Sequence, residues 1–517
     1  MPAPSAATFA RLADLVAIPA AKDRPTRAVV EVFTGRELTT IAVGTAQDAK
    51  DAIARARVAQ KVWAQRPVAE RAAIFHGYRD LVLKNLDSLM DMAQAETGKS
   101  RGAAQEEILD IAMTARHYAR VAPKLLRPQR VTGMLPGLTK TVVRYQPKGV
   151  VGVISPWNYP MTLAVSDAIA ALLAGNAVVL KPDSQTPYCA LACVDLLYQA
   201  GLPRDLFAVV PGAGSVVGTA LVENTEYLMF TGSTAIGQLL AEQAGRRLIG
   251  FSAELGGKNP MIVMAGANLR EVTDAGVRAC FANSGQLCIS IERIYVEQSI
   301  APEFIRMFGE RVRSMTLRAG YEFGIEMGSL ISEEQVKAVS SHVDDAVVKG
   351  ATVVAGGRGR PDLGPLFYEP TVLTGVPEDA ECYREETFGP LVSIYPVGGV
   401  DEAVERANDT DYGLNASVWA ATKSEGEAIA ARIHAGTVNV DEGYAPTWGS
   451  TGAPMGGMGV SGVGRRHGPE GLIKYTEPQT VATTRVLNLG GPRGLPPKVW
   501  ARIMPPFVKA LQWIPGR

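Results

Sequence analysis

The chain has 517 residues, of which 47% are hydrophobic and 20% are charged, and this length suits about two or three domains. Lys and Arg number 52 and balance 52 Asp and Glu residues. A broad nucleic-acid surface is therefore not expected, because it needs an excess of positive charge. No secretory signal is expected from the first twenty residues, and no apolar run reaches the roughly 18 residues of a membrane-spanning helix. We expect a cytoplasmic protein.

The cysteines also indicate a reducing compartment, because five in this length is a small and odd number for a disulfide framework. No Cys-x-x-Cys pair occurs and the histidines are dispersed, so no metal site is predicted. Four cysteines are best explained as small buried hydrophobic residues: Cys189, Cys193, Cys280 and Cys382. Cys288 has neighbours that suggest chemistry instead.

Residues 45–125 have the apolar periodicity of helices. Thr45 and Asp48 resemble a capping box at the start of the first of them, and Pro67 can open the second. The segment 127–147 changes character and contains a predicted strand at Val142–Tyr145.

From residue 150 to 252, short β-branched runs alternate with Ala-rich segments of helical length. The predicted strands here are Val150–Ile154, Ala177–Leu180, Phe207–Val210, Tyr227–Phe230 and Leu248–Phe251. This alternation predicts a parallel, doubly wound sheet that binds ligands at the carboxyl ends of its strands. A second alternation, from about 260 to 440, has predicted strands at Met261–Met264, Ile294–Glu297, Ala351–Val354 and Ala416–Trp419.

The C-terminal tail, residues 490–517, contains six prolines, five basic residues and no acidic ones. Pro505 and Pro506 lack backbone N–H groups and are expected to prevent one continuous helix. The simplest interpretation is a segment that packs on a neighbouring subunit or is disordered. Contact between this basic, aromatic segment and an anionic membrane surface is the alternative.

Three residues stand out as candidates for chemistry on a thiol. The thiol of Cys288 needs local help to react at neutral pH, because the pKa of a free cysteine is about 8.5. The amide of Asn158 can donate to an oxyanion, and a partly buried carboxylate such as Glu254 can act as a base towards water. Each residue alone is weak evidence, because such residues in loops more often serve packing, turns or caps.

The candidates belong to a series of short motifs, and their order along the chain is informative. The motifs are Pro156–Asn158, Lys181–Ser184, Phe230–Ser233, Glu254–Lys258, Gly285–Cys288, Glu386–Pro390, Tyr412–Ser417 and Gly456–Gly457. In this order, over roughly residues 30–485, they resemble the aldehyde dehydrogenase superfamily.

The resemblance implies an α/β fold with three parts. These are a doubly wound, parallel-sheet (Rossmann-like) cofactor domain, a second α/β catalytic domain and a small β oligomerisation arm. The implied boundaries are 1–123 and 146–256 for the cofactor domain, 257–455 for the catalytic domain, 124–145 and 473–486 for the arm, and 487–517 for a proline-rich, basic and apolar tail. A lone arm of this kind is marginal by itself, so a homodimer or homotetramer is expected.

The implied reaction is NAD(P)+-dependent oxidation of an aldehyde to a carboxylic acid. Cys288 would attack the aldehyde to form a thiohemiacetal, and Asn158 with the Cys288 backbone N–H would hold the oxyanion. Hydride transfer would leave a thioester, and Glu254 would activate the water that releases the acid.

The resemblance also implies a set of cofactor-binding positions. They are Trp157, Asn158, Lys181, Ser184, Gly232, Ser233, Leu255, Glu386 and Phe388. Lys181 would bond the adenosine ribose and Glu386 the nicotinamide ribose. Ser184 stands where members that prefer NAD commonly carry Glu, whose charge repels a 2′-phosphate. NADP is therefore the expected cofactor, with NAD as the alternative.

Within the superfamily the sequence is most similar to bacterial NADP-dependent succinate-semialdehyde dehydrogenases, which implies succinate semialdehyde as the substrate. Those enzymes hold the substrate carboxylate with two arginines, and this chain has Ser166 and Ala282 in their places. Arg384 and the pair Arg465–Arg466 are candidate replacements, although the pair is expected at a surface or an interface.

The substrate pocket of the family is shaped by a segment that here contains Tyr444 and Trp448. These residues would give an aromatic lining, unless they serve ordinary packing. An uncharged aliphatic or aromatic aldehyde is therefore the alternative substrate. A coenzyme-A-acylating enzyme and a non-catalytic relative are further alternatives. Glu254 argues against the first, and intact Cys288, Glu254, Asn158 and Glu386 argue against the second.

Overall fold

The computed structural model describes residues 3–19, 23–134, 139–484, 490–492 and 494–511. Two α/β units, each built on its own large sheet, account for most of this part of the chain. The first unit has one hydrophobic core, and the second has separate clusters of buried residues around its sheet. The doubly wound α/β architecture expected from the sequence is confirmed.

The first unit contains a six-stranded sheet. In spatial order its strands are Gly462–Val463, Gly250–Glu254, Tyr227–Thr231, Val150–Ile154, Ala177–Lys181 and Phe207–Val209. The five strands between residues 150 and 254 are parallel, whereas Gly462–Val463 runs antiparallel to its neighbour. Four of the parallel strands are buried along their whole length, which is why they are apolar runs without alternation.

Helices account for most of the remaining first unit. They are Ala6–Ala13, Ala46–Gln65, Val68–Lys84, Leu86–Thr97, Arg101–Leu125, Thr162–Leu173, Pro187–Gln199, Thr219–Asn224 and Thr234–Arg247, with a 3₁₀ turn at Arg204–Leu206 and a π turn at Gly214–Gly218. The predicted capping box is confirmed, because Thr45 and Asp48 each accept the backbone N–H of the other. Pro67 is the residue before the first turn of Val68–Lys84.

The second unit contains a seven-stranded sheet with one antiparallel pair at its edge. In spatial order its strands are Thr352–Ala355, Thr371–Thr374, Leu391–Val397, Ile291–Glu297, Asn259–Val263, Asn415–Trp419 and Thr437–Val440. Its helices are Leu269–Phe281, Ala301–Arg313, Glu333–Val348, Glu381–Arg384, Val400–Asn408, Lys423–Ala430 and Ala445–Gly449, and a 3₁₀ turn covers Ala282–Gly285. The sequence located four of the seven strands.

A three-stranded antiparallel sheet joins two distant parts of the chain. Strand Thr476–Thr484 pairs along its whole length with Thr139–Pro147, which also pairs with Gln129–Val131. Residues 477–484 are exposed, so the outer strand presents an unpaired backbone edge. Smaller elements are the strand pairs Thr26–Val30 with Glu37–Ala42 and Tyr412–Gly413 with Met458–Gly459, and the helix Glu470–Ile473.

The tail forms a continuous helix, Pro497–Leu511, so the expected interruption at Pro505 and Pro506 was wrong. Each proline removes one donor, which frees the carbonyls of Ala501 and Arg502. Both of these residues are exposed, so water can take the place of the lost N–H groups. Tail residues 487–489, 493 and 512–517 lie outside the described residues. In the described ranges, no helix has both the length and the apolar character needed to span a membrane.

Candidate active site

A cavity of about 260 Å³ lies where the carboxyl ends of the first sheet meet the second unit. Nine of the residues predicted for catalysis or cofactor binding line it: Trp157, Asn158, Gly232, Ser233, Glu254, Leu255, Cys288, Glu386 and Phe388. Sequence reasoning did not single out Gln335, which also lines it. Lys181 and Ser184 lie outside the lining, although Lys181 ends the strand that pairs with Val150–Ile154.

Cys288 is partly exposed, and the other four cysteines are buried, as predicted. The Asn259 amide fixes the backbone around Cys288 by donating to the carbonyls of Cys288 at 2.8 Å and Ser290 at 2.7 Å. Burial raises the pKa of the Cys288 thiol to about 12, and the nearby carboxylates of Glu386 and Glu254 add to the shift. The thiol is therefore protonated at neutral pH and needs a base before it can attack a carbonyl.

Glu254 is the last residue of strand Gly250–Glu254 and is only 5% exposed. Burial raises its pKa to about 7, even though the cations of Arg466 and Lys474 oppose the shift. A carboxylate with this pKa is partly ionised at neutral pH, so it can both accept and release a proton there.

Asn158 lies in the loop after strand Val150–Ile154 and is buried. Its side-chain Nδ2 donates to the carbonyl of Gln286 at 3.1 Å, which ties it to the segment that leads to Cys288. The amide has two N–H groups, so this bond leaves the other for a ligand.

Glu386 approaches the first unit closely. The backbone N–H of Gly257 donates to its Oε1 at 2.9 Å, and a Cβ on Gly256 would lie 2.3 Å from its Oε2. Burial raises the pKa of Glu386 to about 8, with a further contribution from Glu292. The glycines at 256 and 257 thus allow a carboxylate to sit against the backbone.

Two features fit a ligand that carries ribose and phosphate groups. Lys181 as a whole residue is only 6% exposed, yet its ammonium forms no hydrogen bond or ion pair with the described residues. Gly232 and Ser233 directly precede helix Thr234–Arg247, and the first N–H groups of a helix lack intrahelical partners and favour anions. Ser184 is partly exposed, and its hydroxyl donates to the carbonyl of Gly212 at 3.4 Å.

Apolar and aromatic side chains pack against Cys288. This cluster consists of Tyr159, Leu163, Ala282, Leu287, Ile289, Leu414, Tyr444, Ala445, Trp448 and Met455. The rings of Tyr159 and Trp448 are 6.2 Å apart, and the hydroxyl of Tyr444 donates to Glu106 at 2.9 Å. Tyr444 and Trp448 therefore belong to the surroundings of the thiol.

A second cavity, of about 290 Å³, contains Ala282 in its wall together with Glu106, Arg278 and Arg311. Arg278 is ion-paired to Glu442 at 2.5 Å, and Arg311 is paired to Asp274 at 3.3 Å. Sequence reasoning missed Arg278, which lies in the last turn of helix Leu269–Phe281, four residues before Ala282.

The other residues considered as partners of a substrate carboxylate already bond to other side chains of the protein. Ser166 is buried and shares a 2.7 Å hydrogen bond with Thr162. Arg384 is 53% exposed and paired to Asp409. The expectation of a surface position was wrong for Arg466, which is buried in an ion pair with Asp167.

The chain belongs to the aldehyde dehydrogenase family, whose sequence pattern matches residues 19–481. A protein of Mycolicibacterium smegmatis named putative succinate-semialdehyde dehydrogenase, NADP(+), is 70% identical over 517 residues, which is 100% of both chains. An NADP-dependent enzyme of E. coli has a similar structure, with a TM-score of 0.85 and 32% identity over 89% of this chain and 95% of the other. The structure of a Staphylococcus aureus betaine aldehyde dehydrogenase in complex with NAD+ is also similar, with a TM-score of 0.86. It is 30% identical over 91% of this chain and 94% of the other.

Proposed function

We propose that this aldehyde dehydrogenase oxidises its substrate to a carboxylic acid through a thioester on Cys288, with NADP as the preferred cofactor. The observation that carries the proposal is the single cavity lined by Cys288, Asn158, Glu254 and Glu386. The wall of this cavity thus holds a nucleophile, a neutral hydrogen-bond donor, a base and a further carboxylate. This set of groups suits acyl chemistry.

The steps follow from these side chains. Once its proton has passed to one of the neighbouring carboxylates of the cavity, the Cys288 sulfur bonds to the aldehyde carbon, and the carbonyl oxygen becomes an oxyanion. Asn158 Nδ2 and the Cys288 backbone N–H donate to that oxygen. The cofactor, when bound, accepts the hydride that leaves the carbon. Glu254 then takes a proton from water as the water oxygen adds to the thioester, and the acid departs as the C–S bond breaks.

For the cofactor, we propose that Lys181 and Ser184 face the adenosine ribose and that Glu386 holds the nicotinamide ribose. Support comes from the ammonium of Lys181, which has no hydrogen-bond or ion-pair partner among the described residues, and from the absence of a carboxylate at position 184. Ser184→Glu is expected to move the ratio of kcat/KM for NADP over NAD towards NAD by about tenfold or more, because close like charges repel by roughly 1–4 kcal/mol. An unchanged ratio would refute the role of Ser184.

The first candidate substrate is succinate semialdehyde, which the name of the 70%-identical relative gives. In this chain the proposed partner for its carboxylate is Arg278 in the second cavity, which already pairs with Glu442. The aromatic and apolar side chains around Cys288 favour a second candidate, an uncharged aldehyde.

The test compares NADPH formation from succinate semialdehyde and from butanal, which has the same number of carbons and no charge. Recognition by Arg278 predicts that Arg278→Gln raises KM for the semialdehyde but not for butanal. Arg384→Gln, which also removes a paired arginine, is the matched control. Equal or better use of butanal by the wild-type protein supports the second candidate.

We propose a homodimer or homotetramer in the cytoplasm, held by the three-stranded sheet and the tail helix. The exposed strand Thr476–Thr484 and the exposed Val499, Ile503 and Phe507 support subunit contacts, and five free cysteines suit a reducing compartment. Light scattering should report a smaller assembly after deletion of residues 490–517. The membrane alternative would be supported if the deletion left the assembly unchanged and if the wild-type protein, but not the deletion variant, bound anionic liposomes.

A further inference from the structure

Behind the loop that carries Asn158 lies a lysine–glutamate pair that the proposed steps do not use. Lys99 Nζ lies 2.8 Å from Glu107 Oε2, and both side chains are completely buried. Two charges this deep lose their hydration, so they persist only where further hydrogen bonds compensate. The partners of the pair therefore indicate what it holds.

Those partners are the backbone groups at both ends of residues 158–162. Lys99 Nζ donates to the carbonyl of Asn158 at 2.7 Å. Glu107 Oε1 accepts the N–H groups of Met161 at 2.6 Å and Thr162 at 3.2 Å. The cation thus holds the start of the segment and the carboxylate holds its end.

The same carbonyl of Asn158 also connects to the segment before Cys288. Asn283 Nδ2 donates to it at 3.1 Å and to the carbonyl of Gln286 at 3.1 Å. Since Asn158 Nδ2 donates to that Gln286 carbonyl as well, the two loops form one closed set of hydrogen bonds. Asn283 has a φ of 51°, in the left-handed region, so the bonds hold a strained backbone in place.

We propose that Lys99, paired with Glu107, is the positioning residue of the oxyanion site. It fixes the main chain of Asn158, so that the side-chain amide meets the oxygen that forms when Cys288 attacks an aldehyde. The inference rests on the proposed function. Oxyanion donors act only within a narrow distance range of about 2.7–3.1 Å, and a displacement of about 1 Å can slow a reaction about 10²-fold.

The test variant is Lys99→Met combined with Glu107→Gln. Lys99→Met alone leaves a buried, unpaired carboxylate and can prevent folding, whereas the added Glu107→Gln change removes that charge and keeps an oxygen for the N–H groups of Met161 and Thr162. We expect the first turnover of NADPH formation to slow about 10²-fold, with NADP affinity and melting temperature close to wild type. Arg24→Met with Asp48→Asn removes another paired cation and carboxylate that line neither cavity, and should leave the rate unchanged.

A double-mutant cycle separates positioning from a general structural effect. In the Asn158→Ala background, the Lys99 and Glu107 changes should alter the rate within roughly twofold, because their target is already gone. The positioning role is overturned if the Lys99 and Glu107 changes slow the Asn158→Ala variant by the same factor as they slow the wild type. It is also overturned if the test variant is as fast as wild type. A wild-type protein without aldehyde-dependent NADPH formation overturns the proposed function itself, and the inference with it.

Discussion

The two sides of Cys288 are lined by different kinds of side chain. The side that faces the first sheet has Asn158, Glu254 and Glu386, and the pKa values of both carboxylates are raised by burial to about 7 and 8. On the other side, Cys288 packs against the apolar cluster that contains Tyr159, and Trp448 packs against the same cluster. Polar groups are thus concentrated where the reaction and the cofactor are proposed to lie, and aromatic surface where the rest of the aldehyde would fit.

This difference separates the question of which reaction is catalysed from the question of which aldehyde is preferred. The reaction depends on groups that must touch the reacting atoms, and the residues proposed for those roles line one cavity. Substrate preference depends on shape and charge further away, where Ala282 replaces an expected cation and Arg278 is paired to Glu442. Changes on the first side should alter the rate with every aldehyde, whereas changes on the second should alter the choice among aldehydes.

The largest effect is expected from Cys288→Ser. A serine hydroxyl is far less acidic than a thiol and a much weaker nucleophile beside the same carboxylates, so NADPH formation should fall to background with every aldehyde. Cofactor binding, measured by the quenching of tryptophan fluorescence, should persist. Cys193→Ala, at a buried cysteine of the first unit, is the control and should keep full activity. Turnover by the serine variant would contradict covalent catalysis.

Asn158→Ala should lower kcat by about 10²–10³-fold, the usual loss for one oxyanion donor. Because the oxyanion forms from any aldehyde, succinate semialdehyde and butanal should lose the same factor. Steady-state kinetics with both substrates checks this. A loss confined to one aldehyde would place Asn158 in substrate selection instead.

Ala282→Arg tests the opposite side by restoring a cation beside the second cavity. A bidentate arginine–carboxylate pair is a strong specificity device, so kcat/KM for succinate semialdehyde should rise relative to butanal by about tenfold, and kcat for butanal should change little. If both aldehydes change together, the cavity at Ala282 takes no part in selection.

The smallest effect is a pH dependence. The raised pKa of Glu254 means that a neutral carboxyl predominates below about 7, so release of the acid should quicken as pH rises through that value and then level off. Rates at saturating NADP isolate this step from the ionisation of Glu386, whose pKa is about 8. A flat profile would show that another step limits turnover or that another group is the base.

The elements that the sequence predicted well are those with one dominant signal. Strand Val150–Ile154 is buried throughout and is therefore a run of apolar residues. Thr371–Thr374 and Thr437–Val440 were missed because each has only four residues, which is too short for a clear pattern. The tail helix was also missed, since the penalty of Pro505 and Pro506 is smaller on an exposed helix than the sequence rule suggests.

The candidate site divides in the same way. Its motif-borne residues were named from sequence and lie together, apart from Lys181 and Ser184, and their roles stay predictions. Residues that act through distant partners carry no local signal: Arg466 pairs with Asp167, 299 positions away. From a single sequence such charged residues are predicted to lie at the surface, because the burial of an ion pair depends on the whole fold.

The most direct test of the central claim, a thioester on Cys288 resolved by Glu254, uses Glu254→Gln with NADP and aldehyde. The account predicts one rapid equivalent of NADPH per subunit, little further turnover, and a peptide containing Cys288 that is heavier by the acyl group. Absence of the burst, or a burst without acyl mass on Cys288, would contradict it.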